Sequence, residues 1–444
     1  MKPAGDTTTP AARLRRLTLL TASALVLSAC ASAPASPPSL TSGSAASAGL
    51  SAARLDRLSA RMEQGVQRGE LPGAVVLIGR KGQIAYERAF GLQDPDKRTT
   101  MQPDAIFRIA SMSKPITSLA ILMLNEEGRL SIADPVEKYL PEFKGLQVAV
   151  IGKGSDGKPS ITLEPQRQLM TVQDLMRHTS GLTYGAASSD HPVKKAYVEA
   201  KISDMGDTNA TLVSKLSRQP LVFQPGTTWE YSVSTDVLGR IVEVVSGQTL
   251  DRFVEERITR PLKMPDTGFV TPAAQGHRAA RPHAEGPKKV VPNVPHPTAD
   301  LAYKSGGGGM VSTARDYARF GQFLLNGGEL DGVRLVSRKT IDLMVSNHLP
   351  PGTPIGPDMA RFEALAPSAA MGQGFSLAFA VRTDAGRNPL PGSVGDYFWG
   401  GAYGTFFWAD PKEEMFVILM MQSPEARLPY RYLLRQLVYQ ALER

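Results

Sequence analysis

Ser111 and Lys114 are the first residues in this chain whose types and spacing could do chemistry. They belong to FRIASMSKPITSLAILML, residues 107–124, in which apolar residues recur at helical spacing. Residues three apart on a helix share a face, so the lysine nitrogen can reach the serine oxygen. A serine hydroxyl becomes an effective nucleophile when a neighbouring base accepts its proton, and apolar neighbours can lower the pKa of a lysine enough to make it that base. The pair therefore predicts nucleophilic catalysis, with the free N–H groups of the first helical turn available to an oxyanion.

The same spacing also arises by chance. Ser155 and Lys158 match it within GKGSDGKPS, which is a polar turn with no apolar face. Such a turn cannot bury a lysine, so it offers no means of lowering the lysine pKa. The sequence therefore favours Ser111 as the nucleophile, although the spacing alone is also consistent with an ordinary core helix.

Two later stretches could complete the site. Tyr231 follows the turn at 225–228 and precedes a predicted helix, and its phenol could exchange a proton with Lys114; a half-buried core tyrosine is the alternative. A predicted late strand contains Trp399, Gly400, Gly401 and Ala402, so two of these four positions have no side chain. These glycines would let the backbone approach a ligand closely, or would only accommodate packing or a bulge.

The elements expected to position these residues are a sheet and a set of helices. Strands are predicted near both ends of the chain, at 74–78, 84–86, 375–382, 397–408 and 415–421. Between them, residues 183–300 consist mostly of predicted helical segments, and helices are also predicted at 51–68 and after Tyr430. This distribution predicts one antiparallel sheet built from both chain ends, flanked by helices, with an all-helical lobe inserted.

Together and in this order, the three stretches resemble the serine β-lactamase and penicillin-binding-protein superfamily, especially its class C-like members. Supporting stretches are found at 170–182, 229–247 and 307–314. The resemblance covers roughly residues 50–440 and implies an α/β (α+β) fold of the β-lactamase/transpeptidase type. It also implies that Ser111 is the nucleophile and that Lys114 and Tyr231 form the base pair.

Two motifs of that superfamily are altered in this chain. The sequence has Tyr231-Ser232-Val233 where class C β-lactamases have Tyr-x-Asn, and Trp399-Gly400-Gly401 where most members have Lys-Thr-Gly. In the β-lactamases, the missing Asn and Lys help to bind the amide and the carboxylate of the substrate. The altered motifs look like those of the family VIII carboxylesterases and related acyltransferases. The resemblance then implies an oxyanion hole made by the N–H groups of Ser111 and Ala402, with the Trp-Gly-Gly residues contributing to substrate binding.

The resulting prediction is a serine hydrolase that cleaves small acyl esters through an acyl-enzyme on Ser111. Three alternatives stay open: a β-lactamase or D-alanyl-D-alanine peptidase, an acyltransferase, or a non-catalytic binding protein of the cell envelope. The altered motifs disfavour the first. An intact Ser-x-x-Lys motif and its tyrosine disfavour the last, because a binding protein has no need of them.

The N-terminal residues predict export. Three arginines within residues 13–16 precede a short apolar run, as in a secretory signal peptide, and Leu27–Cys30 resembles the bacterial lipobox. An ordinary signal peptide with a stray cysteine is the alternative. The expected boundaries are a lipoprotein-type signal peptide at 1–29, a flexible tether at 30–48 and the hydrolase domain at 49–444. Lipidation of Cys30 would place the domain on the periplasmic face of a bacterial membrane; without it the protein would be periplasmic.

The composition argues against several other classes of protein. The formal charge of +8 is spread along the chain without a basic run interleaved with aromatic residues, so nucleic-acid binding is not expected. The six histidines lack metal-ligand spacing, so neither a metal nor another cofactor is expected. The glycine run at 306–309 lacks the context of a phosphate-binding loop and predicts a tight backbone turn. A small acyl ester is the expected binding partner.

Overall fold

The central sheet is built from both ends of the chain, as the sequence predicts. We describe it from a computed structural model, which describes residues 39–153, 159–185, 189–284 and 291–443. The strands are β1 (Thr41–Ser42), β2 (Gly73–Arg80), β3 (Gln83–Asp94), β4 (Thr99–Thr100), β5 (Phe107–Arg108), β6 (Gln147–Lys153), β7 (Pro159–Pro165), β8 (Val311–Ser312), β9 (Glu329–Leu330), β10 (Val333–Arg334), β11 (Gln373–Phe375), β12 (Ala380–Arg382), β13 (Tyr397–Gly400), β14 (Gly404–Asp410) and β15 (Met415–Gln422).

Within these residues, nine strands form the central sheet in the order β1-β3-β2-β15-β14-β13-β12-β11, and β4 pairs with β3. Neighbouring strands are antiparallel except β1 and β3, which are parallel. The helices are α1 (Ala52–Gln67), α2 (Lys114–Glu126), α3 (Val172–Met176), α4 (Pro192–Glu199), α5 (Asn209–Leu216), α6 (Ser234–Ser246), α7 (Leu250–Val254), α8 (Ala314–Leu325), α9 (Arg338–Val345) and α10 (Arg427–Tyr439). A π-helical turn, Glu255–Thr259, follows α7.

Helices cover both faces of the central sheet, which explains the unbroken apolar runs of its middle strands. β2 and β15 are buried along their whole length, unlike strands with one face in water. Trp408 of β14 stacks on Tyr439 of α10. The preceding residue, Phe407, points to the opposite face and packs against Tyr317 of α8. The sheet is therefore held from both sides close to the strands that carry the late motif.

The predicted tether at 30–48 is too long at its C-terminal end. β1 pairs with β3, Ala48 is fully buried, and a guanidinium N–H of Arg80 donates to the Ala48 carbonyl at 2.9 Å. The ordered domain therefore begins before residue 49. The predicted signal peptide, Cys30 and the chance copy at Ser155 lie outside the described residues. In the part of the chain that the structure describes, every helix is too short or too polar to cross a membrane.

The nucleophile segment links the sheet to the helical lobe. β5 pairs with β8, and a 3₁₀ turn, Ala110–Ser113, then leads into α2. Ser111 therefore lies in the 3₁₀ turn, not in the single helix that the sequence predicts. Residues three apart eclipse one another in a 3₁₀ turn, so Lys114 still lies beside Ser111. α2 is buried from Lys114 to Leu124 and packs against α6 and α7 of the lobe.

Candidate active site

The nucleophile stands in a strained turn that its neighbours hold in place. Ala110 has φ +45°, a left-handed conformation that is uncommon for a residue with a side chain. The Ser113 hydroxyl donates to the Ala110 carbonyl at 2.7 Å and accepts from the Met310 N–H at 3.1 Å. Ser111 is partly exposed, whereas the residues on either side of it are buried. The turn therefore presents one hydroxyl to the cavity described below.

Lys114 is 2% exposed and contacts only neutral oxygens. Its Nζ donates to the Ser111 hydroxyl at 3.4 Å, to the Tyr184 hydroxyl at 3.1 Å and to the Gly307 carbonyl at 2.6 Å. Tyr184 is a site residue that the sequence analysis missed.

The electrostatics of Lys114 differ from the prediction. Burial lowers its pKa, but the phenols of Tyr184 and Tyr231 and the carboxylate of Asp236 outweigh burial, and the pKa is raised. The prediction that the lysine pKa is lowered is therefore wrong. It was based on the apolar neighbours of Lys114 and left out the two phenols. Lys114 carries its proton in the free protein. Burial raises the pKa of Tyr184 despite the nearby lysine, so this phenol keeps its proton as well.

The glycine run at 306–309 makes the tight turn that the sequence predicts, and its function is to bring a carbonyl to Lys114. A Cβ on Gly306 would lie 2.7 Å from the Thr235 carbonyl oxygen, and one on Gly307 would lie 2.6 Å from an Asp236 carboxylate oxygen. The Asp236 carboxylate accepts from the Gly307 N–H at 3.1 Å. Only glycine fits these positions, since any side chain would push the Gly307 carbonyl away from the lysine.

Tyr231 lies beside Lys114, as the sequence predicts. The lysine nitrogen lies 4.7 Å from the centre of the Tyr231 ring, and the indole N–H of Trp399 donates to the Tyr231 oxygen at 3.2 Å. Four more rings surround the phenol: His178, Tyr184, Phe362 and Trp229. Burial, and then the charge on Lys114, lower the pKa of His178 well below its usual value, so this ring is neutral. The oxygen of Tyr231 thus accepts an N–H and can accept a further hydrogen bond.

The late motif is placed differently from the prediction. Trp399 is 4% exposed and lies against Tyr231, and the described residues that line the cavity do not include it. Other groups of the protein occupy the space beside the two glycines, where a ligand was expected. A Cβ on Gly400 would lie 2.6 Å from the Arg431 guanidinium carbon, and one on Gly401 would lie 2.3 Å from the Ile109 carbonyl oxygen. The contact with Ile109 brings the turn after β13 against the nucleophile segment.

Ala402 is the residue of the late motif that reaches the cavity. It is exposed and lines the cavity together with Ser111. Among the described residues, its N–H has no acceptor. A free N–H beside the nucleophile is what the predicted oxyanion hole requires. The assignment of Ala402 stays a prediction until it is tested.

The cavity in front of Ser111 is mostly apolar and has a volume of about 390 Å³. Its side-chain walls include Tyr184, Met205, Tyr231, Pro295, Leu301, Tyr303 and Tyr403. Among the described lining residues, Arg108 is the one cation. All five of its N–H donors are used by backbone carbonyls, those of Phe269, Pro295, His296, Ala299 and Gly309. Arg108 therefore organises the wall and has no donor left for a substrate carboxylate.

Comparisons with known proteins identify relatives of this chain. The beta-lactamase family model matches residues 58–440. Protein Rv1367c of Mycobacterium tuberculosis is 34% identical over 375 residues, covering 83% of this chain and 90% of that protein. Esterase EstB of Burkholderia gladioli is 31% identical over 411 residues, covering 86% of this chain and 94% of that protein. The solved structure of EstCE1, a hydrolase with promiscuous acyltransferase activity, superposes with a TM-score of 0.71 at 26% identity, covering 87% of this chain and 98% of that one.

Proposed function

Because the chain belongs to the beta-lactamase family, we propose that it is a serine hydrolase that cleaves small acyl esters, a carboxylesterase. The observation that carries the proposal is the cavity itself. It presents a serine beside a buried lysine and a tyrosine, and its one described lining cation is fully occupied by carbonyls. Such a site can cleave a neutral ester. Among the described residues that line it, no cation is free to pair with the carboxylate of a β-lactam.

The proposed reaction uses Tyr231 as the proton acceptor. In this proposal Tyr231 reacts as the phenolate. Ser111 Oγ adds to the ester carbonyl carbon, the serine proton passes to the phenolate oxygen, and the carbonyl π electrons move to the carbonyl oxygen. In the proposed reaction Lys114 keeps its proton, as its raised pKa favours, and Tyr231 takes the proton of the serine. The charge of Lys114 stabilises the negative oxygen of the tyrosine, together with the Trp399 N–H. Tyr184, which keeps its proton, holds the lysine in place.

Release and hydrolysis then follow by the same route in reverse. Collapse of the tetrahedral intermediate re-forms the carbonyl and breaks the bond to the alkoxide, which takes the proton from Tyr231 and leaves as the alcohol. Water adds to the acyl-enzyme and gives its proton to Tyr231. The second collapse expels Ser111 Oγ, which recovers the proton, and the acid leaves.

The altered motifs support an ester over a β-lactam. Val233 offers no hydrogen bond to a substrate amide, and its side chain is buried. Trp399 replaces the expected lysine and contacts Tyr231. A polar substrate group left without a partner costs about 1–3 kcal/mol, and more when it is charged. A β-lactam would meet this cost at both its amide and its carboxylate, whereas an apolar acyl ester would not.

Acyl transfer to an alcohol is the second candidate function. The acyl-enzyme on Ser111 is the same in both reactions, and only the acceptor differs. The relative EstCE1 is a hydrolase with promiscuous acyltransferase activity, which supports this candidate. Product analysis after adding a simple alcohol to an ester assay would separate the two reactions, because transfer yields a new ester in place of the acid.

The proposal is tested by comparing a panel of p-nitrophenyl esters with nitrocefin. We expect kcat/KM for a short-chain ester to exceed that for nitrocefin by at least about thirtyfold, because two unpaired contacts cost at least about 2 kcal/mol. A fluorophosphonate probe should label the wild type at Ser111. Equal efficiencies, or a preference for nitrocefin, would favour a β-lactamase. Absence of labelling and of turnover would favour a binding protein.

We propose further that Cys30 is lipidated and anchors the domain to a bacterial membrane on its periplasmic face. The support is the sequence pattern at Leu27–Cys30. Metabolic labelling with palmitate should tag the wild type and the Ser111→Ala variant, and should miss Cys30→Ala. An exported wild-type protein that stays unlabelled would refute lipidation while leaving export intact.

A further inference from the structure

Arg431 of α10 is a buried cation with no anion beside it. It is 6% exposed, and within the described part of the chain it forms no salt bridge. One of its terminal nitrogens donates to the Gly401 carbonyl at 2.6 Å and to the Thr405 carbonyl at 2.9 Å, and the guanidinium lies over the Phe406 ring. Burial, and then the neighbouring Arg427, lower the pKa of Arg431 to about 9. A buried charge that meets only carbonyls is costly, so its position calls for an explanation.

The carbonyl that Arg431 contacts belongs to the peptide that carries the free Ala402 N–H. The Gly401 carbonyl and the Ala402 N–H are the two ends of one planar peptide unit, and in a trans peptide they point in opposite directions. A donor that fixes the carbonyl on the side of α10 therefore directs the N–H away from that helix. Ala402 lines the cavity that also contains Ser111. The Gly404 N–H donates to the same carbonyl at 3.1 Å, so the unit is held by two donors.

We propose that Arg431 is a positioning residue for the oxyanion hole, which orients and polarises the Gly401–Ala402 peptide so that the Ala402 N–H stabilises the negative carbonyl oxygen of the substrate. This inference rests on the proposed function. Hydrogen bonds in series polarise one another, so a cation on the carbonyl makes the N–H at the other end of the peptide a stronger donor. The Arg431 charge thus acts on the reacting oxygen without touching it.

The glycine before this peptide fits the same role. A Cβ on Gly400 would lie 2.6 Å from the guanidinium carbon, so the tryptophan-glycine-glycine sequence leaves room for Arg431 to reach the Gly401 carbonyl. From the sequence, that space could admit a ligand or accommodate packing. In the structure a charged side chain of the protein fills it, on the side of the backbone opposite the N–H that the proposal uses.

The proposal predicts an effect on the chemical step more than on substrate binding. The ester carbonyl oxygen is nearly neutral in the bound substrate and becomes negative when Ser111 adds, so a stronger N–H donor matters mainly in the transition state. Loss of one oxyanion-hole donor typically lowers kcat by about 10²–10³-fold. Arg431 acts through the peptide and does not replace it. We therefore expect Arg431→Met to lower kcat by about 10- to 100-fold with KM nearly unchanged.

Arg435 provides a matched control on the same helix. It is 1% exposed, pairs with Asp396 at 2.8 Å and lies over the rings of Phe398 and Trp408. Asp396 keeps a second partner, Arg382 at 3.1 Å, when Arg435 is replaced. Arg435→Met removes a buried guanidinium of the same size from α10 without touching the Gly401–Ala402 peptide. It should lower the thermal midpoint and leave kcat of the folded enzyme within about threefold of the wild type.

The experiment measures kcat, KM and thermal midpoint for the wild type, both Met variants and Arg431→Lys, together with the affinity for a trifluoromethyl ketone and for the product acid. The ketone forms an oxyanion on Ser111, so its affinity should fall with kcat in Arg431→Met, whereas the affinity for the acid should not. Arg431→Lys keeps a donor and a charge and should recover part of kcat.

The outcomes separate this proposal from the proposed function. A wild type that neither hydrolyses esters nor reacts with a fluorophosphonate refutes the function, and the role of Arg431 with it. An active wild type in which Arg431→Met retains kcat and ketone affinity like Arg435→Met refutes only the role of Arg431. If Arg431→Met does not fold, the test compares Arg431→Lys with Arg435→Lys. Equal kcat values in these two variants refute the proposal. A loss of kcat and of ketone affinity in Arg431→Lys alone supports it.

Discussion

Two buried lysines of this molecule have opposite surroundings. Lys194 of α4 pairs with Glu230 at 2.8 Å and with Asp358 at 2.5 Å. Lys114 forms no salt bridge with any described residue and donates to two hydroxyls and a carbonyl. Both side chains are at most 5% exposed, so burial does not distinguish them. The anions around Lys194 neutralise its charge, whereas the charge of Lys114 remains available to a group that becomes negative during a reaction.

The difference shows which buried charge serves the fold and which serves the chemistry. The ion pairs of Lys194 fasten α4 to the segment just before Tyr231 and to the 3₁₀ helix Pro357–Leu365, which contains Asp358. The Thr183 hydroxyl also donates to Glu230 at 2.8 Å. Removing one member leaves an unpaired buried charge, which is a cost in stability. Removing Lys114 leaves only neutral oxygens behind, which is mainly a cost in catalysis.

The largest expected effect tests the nucleophile on which this comparison depends. Ser111→Ala should lower ester turnover by about 10³- to 10⁶-fold, because replacing one member of a cooperating catalytic set costs nearly as much as replacing all of them. The thermal midpoint should change little, since Ser111 is partly exposed. Ser155→Ala is the control and should keep full activity. Comparable turnover in the two variants would contradict the assignment of Ser111.

The second prediction contrasts the two lysines directly. Lys114→Met should lower kcat by about 10²- to 10⁴-fold, the usual range for a group that assists proton transfer, with a small change in stability. Lys194→Met should cost about 3–5 kcal/mol in the free energy of unfolding, because Glu230 is 1% exposed and would lose its buried partner. Steady-state kinetics below both unfolding transitions, together with urea unfolding, measure the two effects.

Reversed results would break the comparison. If Lys194→Met lost more kcat than Lys114→Met while fully folded, the Lys194–Glu230 pair would belong to the catalytic machinery. If Lys114→Met lost several kcal/mol of stability with kcat intact, Lys114 would be a structural lysine.

The sequence was sufficient for the parts of the site that are local along the chain. Ser111 and Lys114 lie in one short motif, and a 3₁₀ turn brings them together as a helix would have done. The sheet was predictable because β2 and β15 are continuous apolar runs near opposite ends of the chain. The parallel pairing of β1 was not, since two residues in a low-complexity stretch carry no strand signal.

Contacts between distant residues that belong to no recognised motif were beyond the sequence. Tyr184 lies 70 residues from Lys114, and a tyrosine after a Gly-Leu-Thr stretch does not indicate a lysine partner. That missed phenol is the first of the groups that raise the Lys114 pKa. Arg431 lies 30 residues from Gly401, and an arginine on an amphipathic C-terminal helix is typical of a solvated face. Trp399 was expected to contact the substrate because of its place in the motif. A motif gives the position of a residue but not the direction of its side chain, and this side chain contacts Tyr231.

A smaller effect on turnover tests the Tyr231 oxygen, whose negative charge accepts the serine proton in the proposed reaction. Trp399→Phe keeps an aromatic ring and removes the N–H that donates to Tyr231 at 3.2 Å. A hydrogen bond to a charged group contributes about 1.5–3 kcal/mol, so kcat should fall by about 10- to 100-fold. Trp408→Phe is the control, because the buried Trp408 N–H has no partner among the described residues. Equal kcat in the two variants would exclude Tyr231 as the proton acceptor.

The comparison extends from buried cations to buried acids. Asp396 is fully buried and pairs with Arg382 and Arg435, just as Lys194 pairs with carboxylates. Asp316 is 5% exposed and forms no salt bridge within the described residues; it accepts from the Asp266 N–H at 2.7 Å and from the Thr267 hydroxyl at 2.9 Å. Burial raises the pKa of Asp316 to about 7, although these hydrogen bonds oppose the change. A buried acid without a cation therefore keeps its proton to a higher pH than an acid with ordinary surroundings.

The last prediction uses this carboxyl, whose expected effect on turnover is the smallest because it lies outside the catalytic cavity. The folded-state pKa of about 7 lies above the ordinary aspartate value of 3.8, so the unfolded chain releases the proton first as the pH rises. The contribution of Asp316 to stability is fully present below about pH 4 and is lost as the pH rises through 7. Asp316→Asn cannot titrate. The free energy of unfolding of the wild type relative to this variant should therefore fall by a few kcal/mol, at about 1.4 kcal/mol per pKa unit, between pH 4 and pH 8. Urea unfolding of both proteins across that range measures the difference, and kcat at pH 7 should be the same in both. Parallel stability curves would mean that Asp316 is ionised in the folded protein, and a buried charge without an opposite partner would then be tolerated away from the active site as well as within it.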